Sequence, residues 1–207
     1  MSWGTLKLWA EDEEKRIHQC IVEALRYLIS SHSTLSTDGE LAISGKLRPF
    51  LYRAKKEMKL AWTLHPEASS FREEDDPKPF GHPDFRFSHN TTEYDQYDYD
   101  IECKLVREKR VGKSRNYCEH YVTDGVYRFQ ERKYAHSYPP MGTMIGYVQD
   151  GNILSLLTII NNEVRCRGLN DIKLKGGVEE KVVTHLFQHL QREMDTFALS
   201  HFWTDLR

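Results

Sequence analysis

Tyr97-Asp98-Tyr99-Asp100-Ile101-Glu102-Cys103-Lys104-Leu105-Val106 decides the fold, because apolar and charged residues alternate along it without a break. Tyr97, Tyr99, Ile101, Cys103 and Leu105 share one face of an extended chain, and Asp98, Asp100, Glu102 and Lys104 share the other. Three carboxylates in line on one pleated face repel each other, so a strand built for stability alone rarely carries them. Lys104 compensates one of them. A divalent cation is the natural neutraliser for the rest, since hard cations prefer carboxylate oxygens. For Asp98 and Asp100 the simpler expectation is a solvated edge-strand face that deters aggregation.

Upstream, Asp84-Phe85-Arg86-Phe87 reads as a short strand, preceded by FREEDDPKPFGHP, whose three prolines and one glycine forbid a long regular element. From Glu11 to Ser31, Ile17, Ile21, Ala24, Leu25 and Leu28 recur at helical steps, and Glu14 falls within the spread of that stripe. A second helix is expected over about 46–63. Downstream, 117–135 reads as a helix weakened by Gly125, and 141–148 as a strand ending at the Asp150-Gly151 turn. Residues 153–164 have helical steps with a strand as the alternative, 178–194 reads as a helix, and 197–203 as a last strand. A strand, a helix and a strand between 97 and 149 suit a crossover. The expected class is α/β, a central mixed sheet flanked by helices. The 207 residues suit one elaborated domain, with a helical portion at 1–70, a core at 71–150 and a C-terminal portion at 151–207.

Composition excludes several classes. With 39% hydrophobic and 29% charged residues the chain is neither disordered nor fibrous. No window approaches 18 consecutive apolar residues and the N-terminus lacks a signal-peptide pattern, so neither a membrane nor a secretory location is expected. The four cysteines form no CxxC pair and read as reduced thiols in a cytoplasm. A net charge of -2 provides no global attraction to nucleic acid. The order of charges is more telling. Residues 71–102 hold ten acids and three bases, a net of -7, whereas 103–115 hold six bases and one acid, a net of +5. An acidic cation site followed by the bases Arg107, Lys109, Arg110, Lys113 and Arg115 suits a phosphodiester, whose scissile group meets the metal while its neighbours meet the cations.

Pro83-Asp84, followed eighteen residues later by Glu102-Cys103-Lys104, resembles the signature of the PD-(D/E)xK nuclease superfamily. The resemblance covers about two-thirds of the chain by order of elements and a few residues by identity. It implies a restriction-endonuclease-like core, with a helical acid, here Glu14, ahead of an aspartate that ends one strand. It implies that Asp84, Glu102 and the Cys103 carbonyl bind Mg²⁺ or Mn²⁺, aided by Glu14. Lys104 then orients or deprotonates the attacking water. The segment 117–148, with YVTDGVYRF and MIGYV, is similar to stretches of small bacterial nuclease-like proteins of phage defence, which makes Arg128 a phosphate contact. The expected function is a DNA endonuclease in a prokaryotic restriction or defence system, with a homodimer suiting a double-strand cut. Two readings compete. One is a nuclease-like binding or scaffold subunit that needs a partner defence protein. The other is a structural or sensory protein whose E-x-K is an intra-strand ion pair, worth about 0 to 1 kcal/mol if exposed.

Overall fold

The alternating segment lies in the middle of the molecule. In a computed structural model, the structure describes residues 3–31, 35–67, 82–90, 96–108, 116–135, 140–175, 183–192 and 196–207. The strand β3 (Gln96–Val106) belongs to a seven-stranded sheet of order β1-β2-β3-β4-β7-β6-β5. The others are β1 (Thr63–Pro66), β2 (Phe85–Asn90), β4 (Gly142–Val148), β5 (Lys173–Leu174), β6 (Val183–Gln191) and β7 (Thr196–Asp205). β3, β4 and β7 are mutually parallel and the other pairs antiparallel, so the sheet is mixed. Helices cover both faces, as the α/β reading expects. α1 (Trp3–Ser31) and α2 (Glu40–Glu57) bury Ile17, Ile21, Leu25, Leu47 and Leu51 against the Tyr99, Ile101 and Cys103 side. On the other side lie α3 (Tyr117–Tyr121), a π-helical turn (Val122–Val126), α4 (Tyr127–Gln130) and α5 (Ile153–Cys166), packed on Met144, Val148 and Trp203. Among the described residues no helix is long and apolar enough to cross a membrane.

Several expectations change. α1 starts at Trp3, eight residues before Glu11, and its buried stripe continues from Ile17 back through Glu13 to Ala10 at steps of four and three residues. Glu13, 8% exposed, accepts hydrogen bonds from Trp62 Nε1 and Arg16 Nη1, both at 2.7 Å. α2 starts at Glu40 and stops at Glu57, with Pro49 inside it, while Trp62 leads into β1. Residues 183–191 form a strand rather than part of a helix. Val183, Leu186, Phe187 and Leu190 satisfy helical steps, but the β-branched start and the alternating burial from Leu186 to Gln191 mark an extended chain. Asp84 immediately precedes β2 instead of ending a strand.

β3 is an interior strand, so the solvated-edge reading of its aspartates fails. Asp100 is 0% exposed. It accepts from Arg86 Nε at 2.6 Å and from the Ala135 amide at 2.8 Å. Asp98 accepts from Ser88 Oγ at 2.7 Å and lies 3.6 Å from Arg86 Nη1. The charged face is therefore neutralised across the β2-β3 pair, where Arg86 stands opposite Asp100. Two glycines let the crossover approach it closely. A Cβ at Gly142 would lie 2.9 Å from the Asp100 carbonyl oxygen and 2.6 Å from Phe129 Cε1. One at Gly125, in the π-turn, would collide with Met144 and lie 3.5 Å from Lys104 Cγ. The helix weakness at Gly125 is thus where the crossover lies against the E-x-K strand.

Candidate active site

β2 and β3 pair only as far as Phe85 opposite Ile101, so beyond Ile101 the β2-facing edge of β3 has no strand partner. With no strand there among the described residues, its amides must find other acceptors, because buried donors left unpaired are costly. Two carboxylates serve. The Cys103 amide donates to Asp84 Oδ2 at 2.7 Å and the Leu105 amide to Glu40 Oε2 at 3.0 Å. Asp84 comes from the start of β2 and Glu40 from the first turn of α2, so a notch forms where the sheet splits.

Lys104 bridges this notch. Its Nζ donates to Glu102 Oε1 at 2.6 Å, to the Cys103 carbonyl at 3.0 Å and to Glu40 Oε1 at 3.2 Å. Arg128 from α4 donates to Glu102 Oε1 at 3.1 Å and to the Tyr134 hydroxyl at 2.6 Å. The Tyr134 hydroxyl donates in turn to the His82 carbonyl at 3.0 Å, tying the crossover to the segment that carries Asp84. The E-x-K is an intra-strand ion pair, but a buried one, with Glu102 1% and Lys104 9% exposed.

Burial sets the electrostatics. It pushes the Glu102 carboxyl up to about 7, opposed by Lys104 and Arg128 and reinforced by Asp84. Burial also raises Asp84, against the pull of Lys104 and the Cys103 amide. Desolvation alone would lower the Lys104 ammonium, but Glu102, Glu40 and Asp84 around it hold it above its ordinary range.

Glu102 Oε2 is buried, and among the described residues no hydrogen-bond donor is placed on it. A buried carboxylate oxygen without a donor is the kind of group a cation satisfies. Among the described residues no three His, Cys, Asp or Glu side chains form a ready metal-binding group. Mg²⁺ is commonly held by one or two carboxylates and keeps several waters. Asp84, Glu102 and the Cys103 carbonyl supply hard oxygens of that type, so the donor chemistry fits, with main chain and water completing the count.

The remaining sequence-derived residues divide. Glu14 does not join the notch. It lies 3.7 Å from His18 Nε2, and the charges acting on it are Lys175 and Glu11. Burial raises Glu14 to about 7 and lowers His18, whose Nε2 is 2.7 Å from the Tyr99 hydroxyl, to about 3. The helical acid at the notch is Glu40, which a helix start at 46 excludes. Arg107 is held by Gln149, with its Nε 2.6 Å from Oε1 and its guanidinium 5.2 Å from the Tyr117 ring centroid. Lys109, Arg110, Lys113 and Arg115 lie outside the described residues, as does the acidic run 73–76. Arg128 does reach Glu102. Tyr134 carried no sequence signal.

The raised carboxyls make stability fall with pH. A group whose folded pKa exceeds its unfolded value stabilises the fold below the unfolded pKa and loses that contribution as pH rises through the folded one. Glu102 and Glu14 each move from 4.5 to about 7. Each therefore costs up to about 3 kcal/mol between pH 4.5 and 8. His18, His185 and His201, held neutral by burial, oppose this trend by losing stability as pH falls below about 6.5. The carboxyl contribution is therefore read by difference: in thermal unfolding without metal the Glu102→Gln variant is expected to gain on the parent as pH rises from 5 to 8, and a Tm difference between the two that is the same at both pH values contradicts the burial of Glu102. No protein-family model, curated protein or solved structure matches this chain.

Proposed function

We propose that the chain is a metal-dependent nuclease hydrolysing phosphodiester bonds in DNA, an endonuclease with a restriction-endonuclease-like core. The setting proposed is the cytoplasm of a prokaryote, in restriction or antiphage defence. The observation that carries the reading is the buried Oε2 of Glu102, on which no donor is placed among the described residues. It sits on the carboxylate whose other oxygen is 2.6 Å from Lys104 Nζ, beside Asp84. Asp84, Glu102 and the Cys103 carbonyl are the ligands proposed for Mg²⁺ or Mn²⁺. A bound divalent cation supplies an acidified water and neutralises phosphate charge. Lys104, whose Nζ lies on the other oxygen of Glu102, would hold the attacking water or the charge that builds on the phosphate. Arg128 exchanges Glu102 for a phosphate oxygen, to which a guanidinium offers two parallel donors. Glu40 retains the ammonium and the Leu105 amide, so Lys104 stays in the notch during the exchange. The loop bases Lys109, Arg110, Lys113 and Arg115, following Arg107, hold neighbouring phosphates, and a homodimer brings a second notch to the opposite strand.

Supercoiled plasmid with purified protein tests this. Nicking in Mg²⁺ that is abolished by EDTA is the expected outcome, and an inactive chain under both conditions counts against autonomous hydrolysis. A second reading is favoured by one observation: Lys104 already compensates Glu102 and Glu40 without metal. On that reading the chain is a nuclease-like scaffold, and a partner defence protein is required before plasmid is cut.

A further inference from the structure

Residues 40–59 hold six bases, Lys46, Arg48, Arg53, Lys55, Lys56 and Lys59, against two acids, Glu40 and Glu57, a net of +4 in a chain whose own net is -2. Lys46 pairs with Asp38 and Arg53 with Glu57. Arg48, Lys56 and Lys59 are exposed, and no carboxylate among the described residues pairs with them. A helix face that is merely solvated usually interleaves acids with bases three or four residues apart. Unpaired like charges repel, and a polyanion is what offsets that repulsion.

Two of these cations are also aligned on the helix. At 100° per residue Arg48, Tyr52 and Lys56 lie within about 80° on the surface of α2. Tyr52 is 42% exposed, with the Arg48 guanidinium 6.0 Å from its ring centroid. Lys59 stands in the turn that follows, its φ of 50° in the left-handed region and its carbonyl accepting from Arg16 Nη2 at 3.5 Å. The stripe has fixed ends. Glu40 in the first turn reaches into the notch, and the Tyr52 hydroxyl donates to the Leu64 carbonyl of β1 at 3.1 Å. From Glu40 to Lys56 the helix rises about 24 Å, which spans about seven phosphates of one B-form strand at 3.4 Å each.

We infer that the exposed basic stripe of α2, Arg48, Lys56 and Lys59 with Tyr52 between them, docks the sugar-phosphate backbone of duplex DNA and leads it to the notch at Glu40. The lead into the notch rests on the nuclease reading; the docking itself does not. Binding is measured in EDTA by fluorescence anisotropy on a labelled duplex of about 20 base pairs, from 50 to 200 mM salt. Each phosphate contact contributes about 0.9 to the slope of log K against log salt. The Arg48→Gln/Lys56→Gln/Lys59→Gln variant is expected to lower that slope by between about 2 and 3 and to weaken binding at least about tenfold. The Arg165→Gln/Arg167→Gln/Lys173→Gln variant removes the same net charge from α5, its C-terminal cap and β5, and is expected to bind like the parent. An unchanged slope in the α2 variant, an equal loss in the α5 variant, or a parent that binds acidic polypeptide but no duplex overturns the inference. Cutting is not read here. A chain that binds duplex through α2 yet never nicks it keeps this inference and loses the hydrolase reading.

Discussion

Glu102→Gln is expected to abolish Mg²⁺-dependent plasmid nicking while the protein stays folded. Glutamine keeps the size of the side chain and removes the charge that a cation at Oε2 would need. Losing an anionic ligand from a site that holds few costs several kcal/mol of transition-state stabilisation, which at 1.36 kcal/mol per decade is about 10³-fold in rate. The fold does not share that loss. Lys104 retains Glu40 and the Cys103 carbonyl, and Arg128 retains Tyr134. At pH 8 the substitution also removes a carboxylate that burial disfavours, so Tm is expected to stay within about 3 °C of the parent or rise. Lys104→Met is the complementary change. It removes the nearest cation, leaves Glu102 with Arg128 alone, and is expected to lower both nicking and stability at pH 8. Nicking by Glu102→Gln at the parent rate would move the chemistry away from the notch.

Arg86→Met is expected to give the largest loss of stability, about 3 to 5 kcal/mol by chemical denaturation, because it leaves a buried charge without its partner. Asp100 is 0% exposed, and without Arg86 its hydrogen bonds reduce to the Ala135 amide. Burial already raises Asp100, with Arg86 opposing it, so the variant takes up a proton and its stability worsens as pH rises. The double change Arg86→Met with Asp100→Leu removes both charges and is expected to recover most of the loss. If the single variant is as stable as the parent at pH 8, the buried pair does not neutralise the strand as described.

The legible parts of the sequence were those governed by local periodicity. The alternation from Tyr97 to Leu105 located an interior strand of the sheet and set Glu102 and Lys104 on one face, and Asp84 joins them through the Cys103 amide. Contacts between distant segments were not legible in that way. That β2 flanks β3 and sets Arg86 opposite Asp100 depends on register, which no single strand encodes, so the buried Asp100 read as a solvated residue. Glu40 was hidden because Gly45 and Pro49 argue for a later helix start, where proline is tolerated in a first turn. In the structure α2 begins nine residues, about two and a half turns, before the proline, after Asp38-Gly39. Residues 183–191 met the spacing of either a helix or a strand, and only their pairing with β7 decides between them.

Crystals grown without metal and then soaked in Mn²⁺ provide the most direct test, read as anomalous scattering at the notch. A peak between Asp84 and Glu102 Oε2 is the result this account predicts. A well-occupied soak with no peak there would contradict it.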